Sequence, residues 1–185
     1  MRGGNIKTEV HITLEEAFHG TSKDLKIPNY PIRCPVCSKR WMFGMAQKKC
    51  KACGGKGFVE EEKSVVVCVP AGIDIGQSIR IRNKGLFGGD LKDKNRGDLL
   101  IQVTVREHPV FTRSLYDLSI IKKINSEIAE NGGQVIVDTM DGKINLKIAP
   151  GIQDGTKIKI AGKGMPTLIN KSAYGDLYVV IQIEK

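Results

Sequence analysis

Two pairs of cysteines are the residues whose type and spacing point most directly to chemistry. Cys34 and Cys37 are separated by two residues, and twelve residues later Cys50 and Cys53 repeat the same spacing. Each Cys-x-x-Cys pair can form a tight turn whose two thiolates face one ion, and the connecting loop is long enough to bring both pairs around a tetrahedron. Because four thiolates leave no ligand position for water, the pattern predicts one structural zinc ion rather than a catalytic one.

Disulfides, a redox-active pair and unrelated cysteines are the alternatives for these four residues. Redox Cys-x-x-Cys pairs usually occur singly at the start of a helix, whereas these pairs lie in segments rich in glycine and lysine. The fifth cysteine, Cys68, is predicted to be a strand residue that faces away from Val67 and Val69. Metal-bound thiolates favour a reducing compartment, so we expect the cytoplasm or an organelle matrix.

The sequence contains no arrangement typical of a catalytic site. His11, His19 and His108 do not belong to a recognisable pair of nucleophile and base, and Gly162-Lys163-Gly164 lacks the length and the Ser or Thr of a phosphate-binding loop. We therefore predict that the chain is not an enzyme and that it has no catalytic residues.

Composition sets broad limits on the class of protein. The chain has 185 residues, of which 41% are hydrophobic, and this is enough to build a core. The longest apolar run, residues 65–69, is far shorter than the roughly 20 residues of a membrane-spanning helix, so no membrane partner is expected. A net charge of +9 permits nucleic-acid binding. A zinc-ribbon nucleic-acid module is thus the alternative function, made less attractive by an aromatic content of only 5%.

An internal repeat and a period-two pattern indicate the organisation of the chain. Pro70-Ala71-Gly72-Ile73 recurs in altered form at 150–152, and Lys84-Gly85 recurs at 163–164. From Gly72 onward the offset between the two copies is a constant 79. Alternating apolar residues predict strands at 23–27, 79–82, 134–137, 143–148 and 157–160. The fold class is therefore mainly β, with two related units at about 5–106 and 107–185 and a cysteine-rich insertion at 29–59.

These features together resemble the C-terminal, substrate-binding part of the DnaJ family of J-domain co-chaperones, in its zinc-containing (type I) class. The matching segments are Leu14-Glu15-Glu16-Ala17 with Gly20, Cys50 to Gly57, Val69-Pro70-Ala71-Gly72, Gly97-Asp98-Leu99, His108-Pro109-Val110-Phe111, Asp141-Gly142, Pro150-Gly151 and Gly162 to Pro166. The family usually carries four Cys-x-x-Cys repeats and two zinc ions, so the resemblance implies a reduced zinc region here. His108-Pro109-Val110 is not the His-Pro-Asp signature of a J domain, and the chain therefore looks like a fragment.

The resemblance also implies a function and a set of binding residues. It implies two β-sandwich-like subdomains that bind unfolded polypeptides and, in the full protein, pass them to a seventy-kilodalton (DnaK-type) heat-shock chaperone. It further implies a homodimer for the full-length protein, whereas this fragment is expected to be monomeric. By similarity to family members, the client groove of the first unit would be lined by Ile6, Leu25, Ile27, Val65 and Ile101.

Overall fold

The computed structural model describes residues 2–36, 50–88, 93–170 and 172–184, and within these residues the chain is mostly β-strand. In chain order the elements are β1 (Ile6–Ile12), α1 (Leu14–His19), β2 (Thr21–Arg33), β3 (Phe58–Val69), β4 (Ser78–Ile81), β5 (Leu99–Val105), β6 (Phe111–Ser114), β7 (Asp117–Asn125), α2 (Ser126–Asn131), β8 (Gly133–Thr139), β9 (Gly142–Ile148), β10 (Lys157–Ile160) and β11 (Leu177–Glu184). The predicted mainly β fold class is confirmed, and the strands predicted from alternation lie in β2, β4, β8, β9 and β10.

The strands form two larger sheets and two strand pairs. The first sheet has the order β1-β5-β4 and the second has the order β10-β11-β7-β6, while β2 pairs with β3 and β8 pairs with β9. In the second sheet β7 and β11 run parallel, with Ile120 opposite Val179. The order of elements from β1 to β5 is thus repeated from β7 to β11, and β6 is an additional edge strand. Among the described residues, neither helix exceeds six residues, and none is long and apolar enough to cross a bilayer.

The chain divides into two compact units. The first contains Met1–Val10, Ser22–Cys68 and Gly76–Val103, and the second contains His11–Thr21, Val69–Ile75 and Thr104–Lys185. The segment with α1 therefore belongs to the first repeat by sequence and to the second unit by packing. The boundaries 5–106, 29–59 and 107–185 follow the sequence repeat and stay a prediction.

Alternating side chains explain why these segments become strands with one buried face. In β11, Leu177, Val179 and Ile181 are fully buried, and the residues between them are partly or fully exposed. This period-two pattern matches the pleat of a strand that covers a core on one side. The helix α1 begins with a capping box, in which Thr13 Oγ1 accepts the Glu16 N–H at 3.3 Å and Glu16 Oε2 accepts the Thr13 N–H at 2.9 Å.

The repeat in the sequence is also a repeat of hydrogen bonds. In the first unit the carboxylate of Asp98 accepts the Asn83 N–H at 3.0 Å and contacts Arg80. In the second unit Asp176 accepts the Gly162 N–H at 3.0 Å and pairs with Lys159 at 2.6 Å. Each carboxylate therefore ties the loop after β4 or β10 to the residue that precedes β5 or β11.

Candidate metal centre and client-binding strands

Three of the four predicted metal ligands lie together in the first unit. Cys34 follows the end of β2, and Cys50 and Cys53 lie in the turn that leads to β3. All three side chains are buried, and their sulfur atoms lie within 4.8 Å of one another. None of these three cysteines is in a disulfide. Sequence spacing therefore identified a real cluster that could hold a metal ion.

Backbone hydrogen bonds hold the turn in the shape that points the sulfur atoms inward. The Gly54 N–H donates to the Cys50 carbonyl at 2.8 Å, and the Gly57 N–H donates to Cys53 Sγ at 3.3 Å. Gly54 and Gly57 both have positive φ angles, 59° and 79°, which glycine adopts without the steric cost that a side chain would add. A hydrogen bond from a backbone N–H to a ligand sulfur is a common feature of metal-binding turns, because it stabilises the negative charge of a thiolate.

The distances between the sulfur atoms fit a tetrahedral metal ion. A zinc ion with Zn–S bonds of about 2.3 Å places its sulfur ligands about 3.8 Å apart. Cys34 Sγ and Cys50 Sγ are 3.8 Å apart, far beyond the length of a covalent S–S bond of about 2.05 Å. The Cys34 N–H also donates to the Gly57 carbonyl at 3.0 Å, which fixes the end of β2 against the turn. The donor set and its geometry therefore fit zinc.

Cys37 and Cys68 are the two remaining cysteines of the chain. Cys37 lies outside the described residues, so its role as the fourth ligand stays a prediction. Cys68 is exposed while Val67 and Val69 are buried, which confirms that it faces the opposite side of β3. Its nearest polar neighbour is the hydroxyl of Ser22 on β2, at 3.7 Å.

The five predicted client-binding residues lie on four strands and differ in burial. Ile6 on β1, Leu25 on β2 and Val65 on β3 are half-buried. Ile27 on β2 is 3% exposed and Ile101 on β5 is fully buried. In this structure the first three offer apolar surface to a ligand, and the other two belong to the core.

The two faces of the strand pair β2–β3 differ in exposure around Leu25. Leu25 and Ile27 lie on the more covered face, and Asp24 and Lys26 lie on the exposed face, where Lys26 Nζ is 3.6 Å from a carboxylate oxygen of Glu62. Within the part of the chain that the structure describes, β2 has a strand neighbour on one side only. A strand at the end of a sheet can accept an added strand from another chain.

His108, which precedes β6 in the second unit, caps a turn. Its Nδ1 accepts the N–H groups of Val110 and Phe111 at 3.1 and 3.0 Å, so the ring proton must lie on Nε2. Nε2 in turn donates to Glu15 Oε1 at 3.0 Å. Hydrogen bonds from Thr13, from the Glu15 backbone N–H and from His108 lower the pKa of Glu15.

Arg96 is a buried residue that the sequence patterns do not single out. Its side chain lies near the base of the cysteine-rich segment, between aromatic rings of Tyr30 and Phe87. The one sequence signal that distinguishes it is the internal repeat, because the residue before Gly97-Asp98 is Arg96 and the residue before Gly175-Asp176 is Tyr174.

Comparison with known proteins agrees with this architecture. A family model described as DnaJ C terminal domain matches residues 6–185. The chaperone protein DnaJ of Acetivibrio thermocellus is 32% identical over 224 residues, which cover 99% of this chain and 57% of that protein. The DnaJ proteins of Neisseria meningitidis and Paracoccus denitrificans are 32% and 29% identical, and each alignment covers 99% of this chain and 58% of the relative.

The chain thus spans a little under three fifths of the length of these curated relatives. The match nevertheless includes both β repeats and the segment with the cysteine cluster, from β1 to the end of β11. The chain belongs to the DnaJ C-terminal domain family.

Proposed function

We propose that this chain is the client-binding region of a DnaJ-type co-chaperone, which holds unfolded polypeptides and, in the full-length protein, passes them to a DnaK-type heat-shock chaperone. The observation that carries the proposal is that the apolar side chains of Ile6, Leu25 and Val65 are only partly covered in the first unit. Membership of a family whose matching relatives are named chaperone proteins supports the same function. The full-length protein would act as a homodimer.

The proposed binding mode is the addition of an extended client strand to β2. Backbone groups of residues 24–27 would pair with the client, and Leu25, Ile6 and Val65 would contact its apolar side chains. Pairing would stop at Pro28, because proline has no N–H to donate. Ile27 and Ile101, which are buried, would support the site from the core without direct contact.

We also propose that one structural zinc ion is bound by Cys34, Cys37, Cys50 and Cys53. When bound, the ion would supply the crosslink that holds the two cysteine pairs together, and it would have no open position for catalysis. The three clustered sulfur atoms support this proposal, and Cys37 would complete the tetrahedron. Because thiolate ligands must stay reduced, the protein would work in the cytoplasm or in an organelle matrix.

The client site can be tested by fluorescence anisotropy with a labelled, extended apolar peptide. Leu25→Ser should weaken binding about fivefold, because it removes roughly 1 kcal/mol of apolar contact from a side chain that is half-exposed in the free protein. Val66→Ser is the matched control, since Val66 is 62% exposed on the opposite face of β3. This control should bind the peptide as the wild type does.

Equal loss of affinity in both variants, or in neither, would contradict the proposed face. A short single-stranded oligonucleotide serves as the second ligand. Tight oligonucleotide binding that falls steeply with salt, without any peptide binding, would instead support the alternative of a zinc-ribbon nucleic-acid module.

A further inference from the structure

We propose that Arg96 is a positioning residue for the cysteine cluster, which sets metal affinity without touching the metal. The proposal rests on metal binding by the cysteines, as proposed above. Arg96 is a buried cation, with 6% of its surface exposed, in a part of the first unit that carries no cysteine. Burial of a guanidinium is costly unless its N–H groups and its faces find partners, so the identity of those partners indicates what the residue holds.

The guanidinium of Arg96 joins two segments that are far apart in the sequence. Its Nε donates to the Gly85 carbonyl at 2.9 Å, and one terminal nitrogen donates to the Pro31 carbonyl, also at 2.9 Å. The centre of the group lies 4.9 Å from the ring of Tyr30 and 4.1 Å from the ring of Phe87, within the range of cation–π contact. These contacts fix the last part of β2 to the loop that follows β4.

Both strands that flank the cysteine-rich segment are held by this arrangement. On one side, Pro31 lies three residues before Cys34, near the end of β2. On the other side, the Phe87 ring also contacts Phe58, the first residue of β3, with 6.0 Å between ring centres. Arg96 and Phe87 therefore fix the two points from which the chain leaves for the cluster and returns from it.

A shift of either point would change the distances between the ligands. The Cys34 N–H donates to the Gly57 carbonyl, and the Gly57 N–H donates to Cys53 Sγ, so the end of β2 is connected to the second cysteine pair through Gly57. A metal ion with Zn–S bonds of about 2.3 Å tolerates little change in these positions. Arg96 can therefore influence the metal through geometry alone.

The second repeat folds without this arginine. Gly85 N–H donates to the Gly97 carbonyl at 2.9 Å, and the equivalent Gly164 N–H donates to the Gly175 carbonyl at 2.8 Å. The residue equivalent to Arg96 is Tyr174, which is 43% exposed. In that repeat β8 and β9 are joined by the two residues 140–141, with no insertion between them. The backbone hydrogen bonds that the two repeats share therefore do not require an arginine at this position. The first repeat, which has the arginine, is also the repeat that carries the cysteines.

The test is the affinity of the protein for Zn²⁺, measured by competition with a chromophoric chelator in reducing buffer. Arg96→Lys keeps the charge but loses the planar fork and the stacking, and it should weaken zinc binding about 10- to 100-fold, the range typical of residues that orient metal ligands. Arg80→Lys is the matched control, because Arg80 is about half exposed and the second repeat has Lys159 at this position. It should bind zinc within about twofold of the wild type, because lysine keeps the positive charge beside Asp98 as Lys159 does beside Asp176.

Two further readouts separate positioning from simple stabilisation. The cobalt-loaded Arg96→Lys variant should keep the thiolate absorption bands of the wild type, since the ligands are unchanged. If Arg96→Lys fails to fold, the measurement is made on the wild type instead. Because the coupling between Arg96 and the metal site is reciprocal, chelation of zinc should accelerate hydrogen exchange at Arg96 Nε.

Wild-type zinc affinity in a folded Arg96→Lys variant would overturn the inference, and so would an Arg96 Nε exchange rate that chelation does not change. Absence of zinc binding by the wild type would overturn both this inference and the proposed metal site. Zinc binding by the wild type with equal affinity in the variant would overturn this inference alone.

Discussion

Removal of the metal ion should loosen the cysteine-rich segment and leave the sheets folded. Among the described residues of this segment, the N–H groups of Cys34, Gly54, Lys56 and Gly57 donate hydrogen bonds within it. At a free zinc concentration 100 times the Kd, binding stabilises the ordered segment by about 2.7 kcal/mol. Because each 1.4 kcal/mol is a factor of about ten, chelation should speed hydrogen exchange at these amides about 100-fold.

Amide hydrogen exchange followed by NMR measures this change residue by residue. The protein is compared with and without a chelator, in a buffer that keeps the thiols reduced, because clustered thiols without a metal are prone to oxidation. Two sheet amides serve as internal controls: Val103 N–H, which donates to the Gln77 carbonyl at 2.9 Å, and Ile181 N–H, which donates to the Thr156 carbonyl at 2.8 Å. Both should change by less than about twofold, since they open with the sheets rather than with the segment.

Two results would refute this reasoning. If the control amides exchange faster by the same factor, the metal supports the whole fold, and the cysteine-rich segment is not an independent insertion. If the four amides of the segment keep their protection after the metal has been removed, the hydrogen bonds and the packing of the buried cysteines are sufficient, and the metal contributes no local order.

Three further predictions concern the β repeats. The N–H of Asn83 lowers the pKa of Asp98, and the ammonium of Lys159 lowers the pKa of Asp176. Both carboxylates therefore stabilise the folded state above their usual pKa of 3.8, and this contribution is lost as the pH falls below that value. Chemical denaturation between pH 6 and about pH 3 should show the decline in stability, and Asp176→Asn should make the decline smaller. Ile101→Ala should lower the free energy of unfolding by about 2–5 kcal/mol, because Ile101 is fully buried. Urea titration measures this loss. A loss below about 1 kcal/mol would contradict the conclusion that Ile101 belongs to the core. Gly97→Ala should destabilise the protein more than Gly76→Ala, because a Cβ at residue 97 would overlap the Gly4 carbonyl oxygen. At residue 76 a Cβ meets no neighbouring atom, and the cost is limited to the positive φ of 81°. Thermal unfolding of the two variants gives the comparison.

Local patterns were sufficient to predict the features that depend on spacing. The period of two in segments such as 143–148 follows directly from the pleat of a strand, and the strands were found where it occurs. The spacing of Cys34, Cys50 and Cys53 predicted a cluster because short Cys-x-x-Cys turns have few possible shapes. The capping box at Thr13 is likewise a contact between residues three apart in the sequence.

Features that depend on distant packing could not be predicted in this way. Alternation shows that Leu25 and Ile27 share a face. It does not show that Ile27 is buried and Leu25 only half-buried, because this difference depends on how the whole unit packs. Nothing in its immediate sequence distinguishes Arg96 from the exposed Arg80, because the Pro31 carbonyl that Arg96 binds is 65 residues away. The additional strand β6, Phe111–Ser114, contains a single apolar residue, so its sequence has no alternation to detect.

The contrast between Cys68 and the clustered cysteines gives the protein an internal reporter of metal occupancy. Cys68 is exposed on β3, and Cys34, Cys50 and Cys53 are buried. A thiol reagent should therefore modify Cys68 at once in the loaded protein and reach the other three only after the ion has left. The number of labels counted by mass spectrometry would then measure how quickly the metal dissociates, without any substitution in the protein.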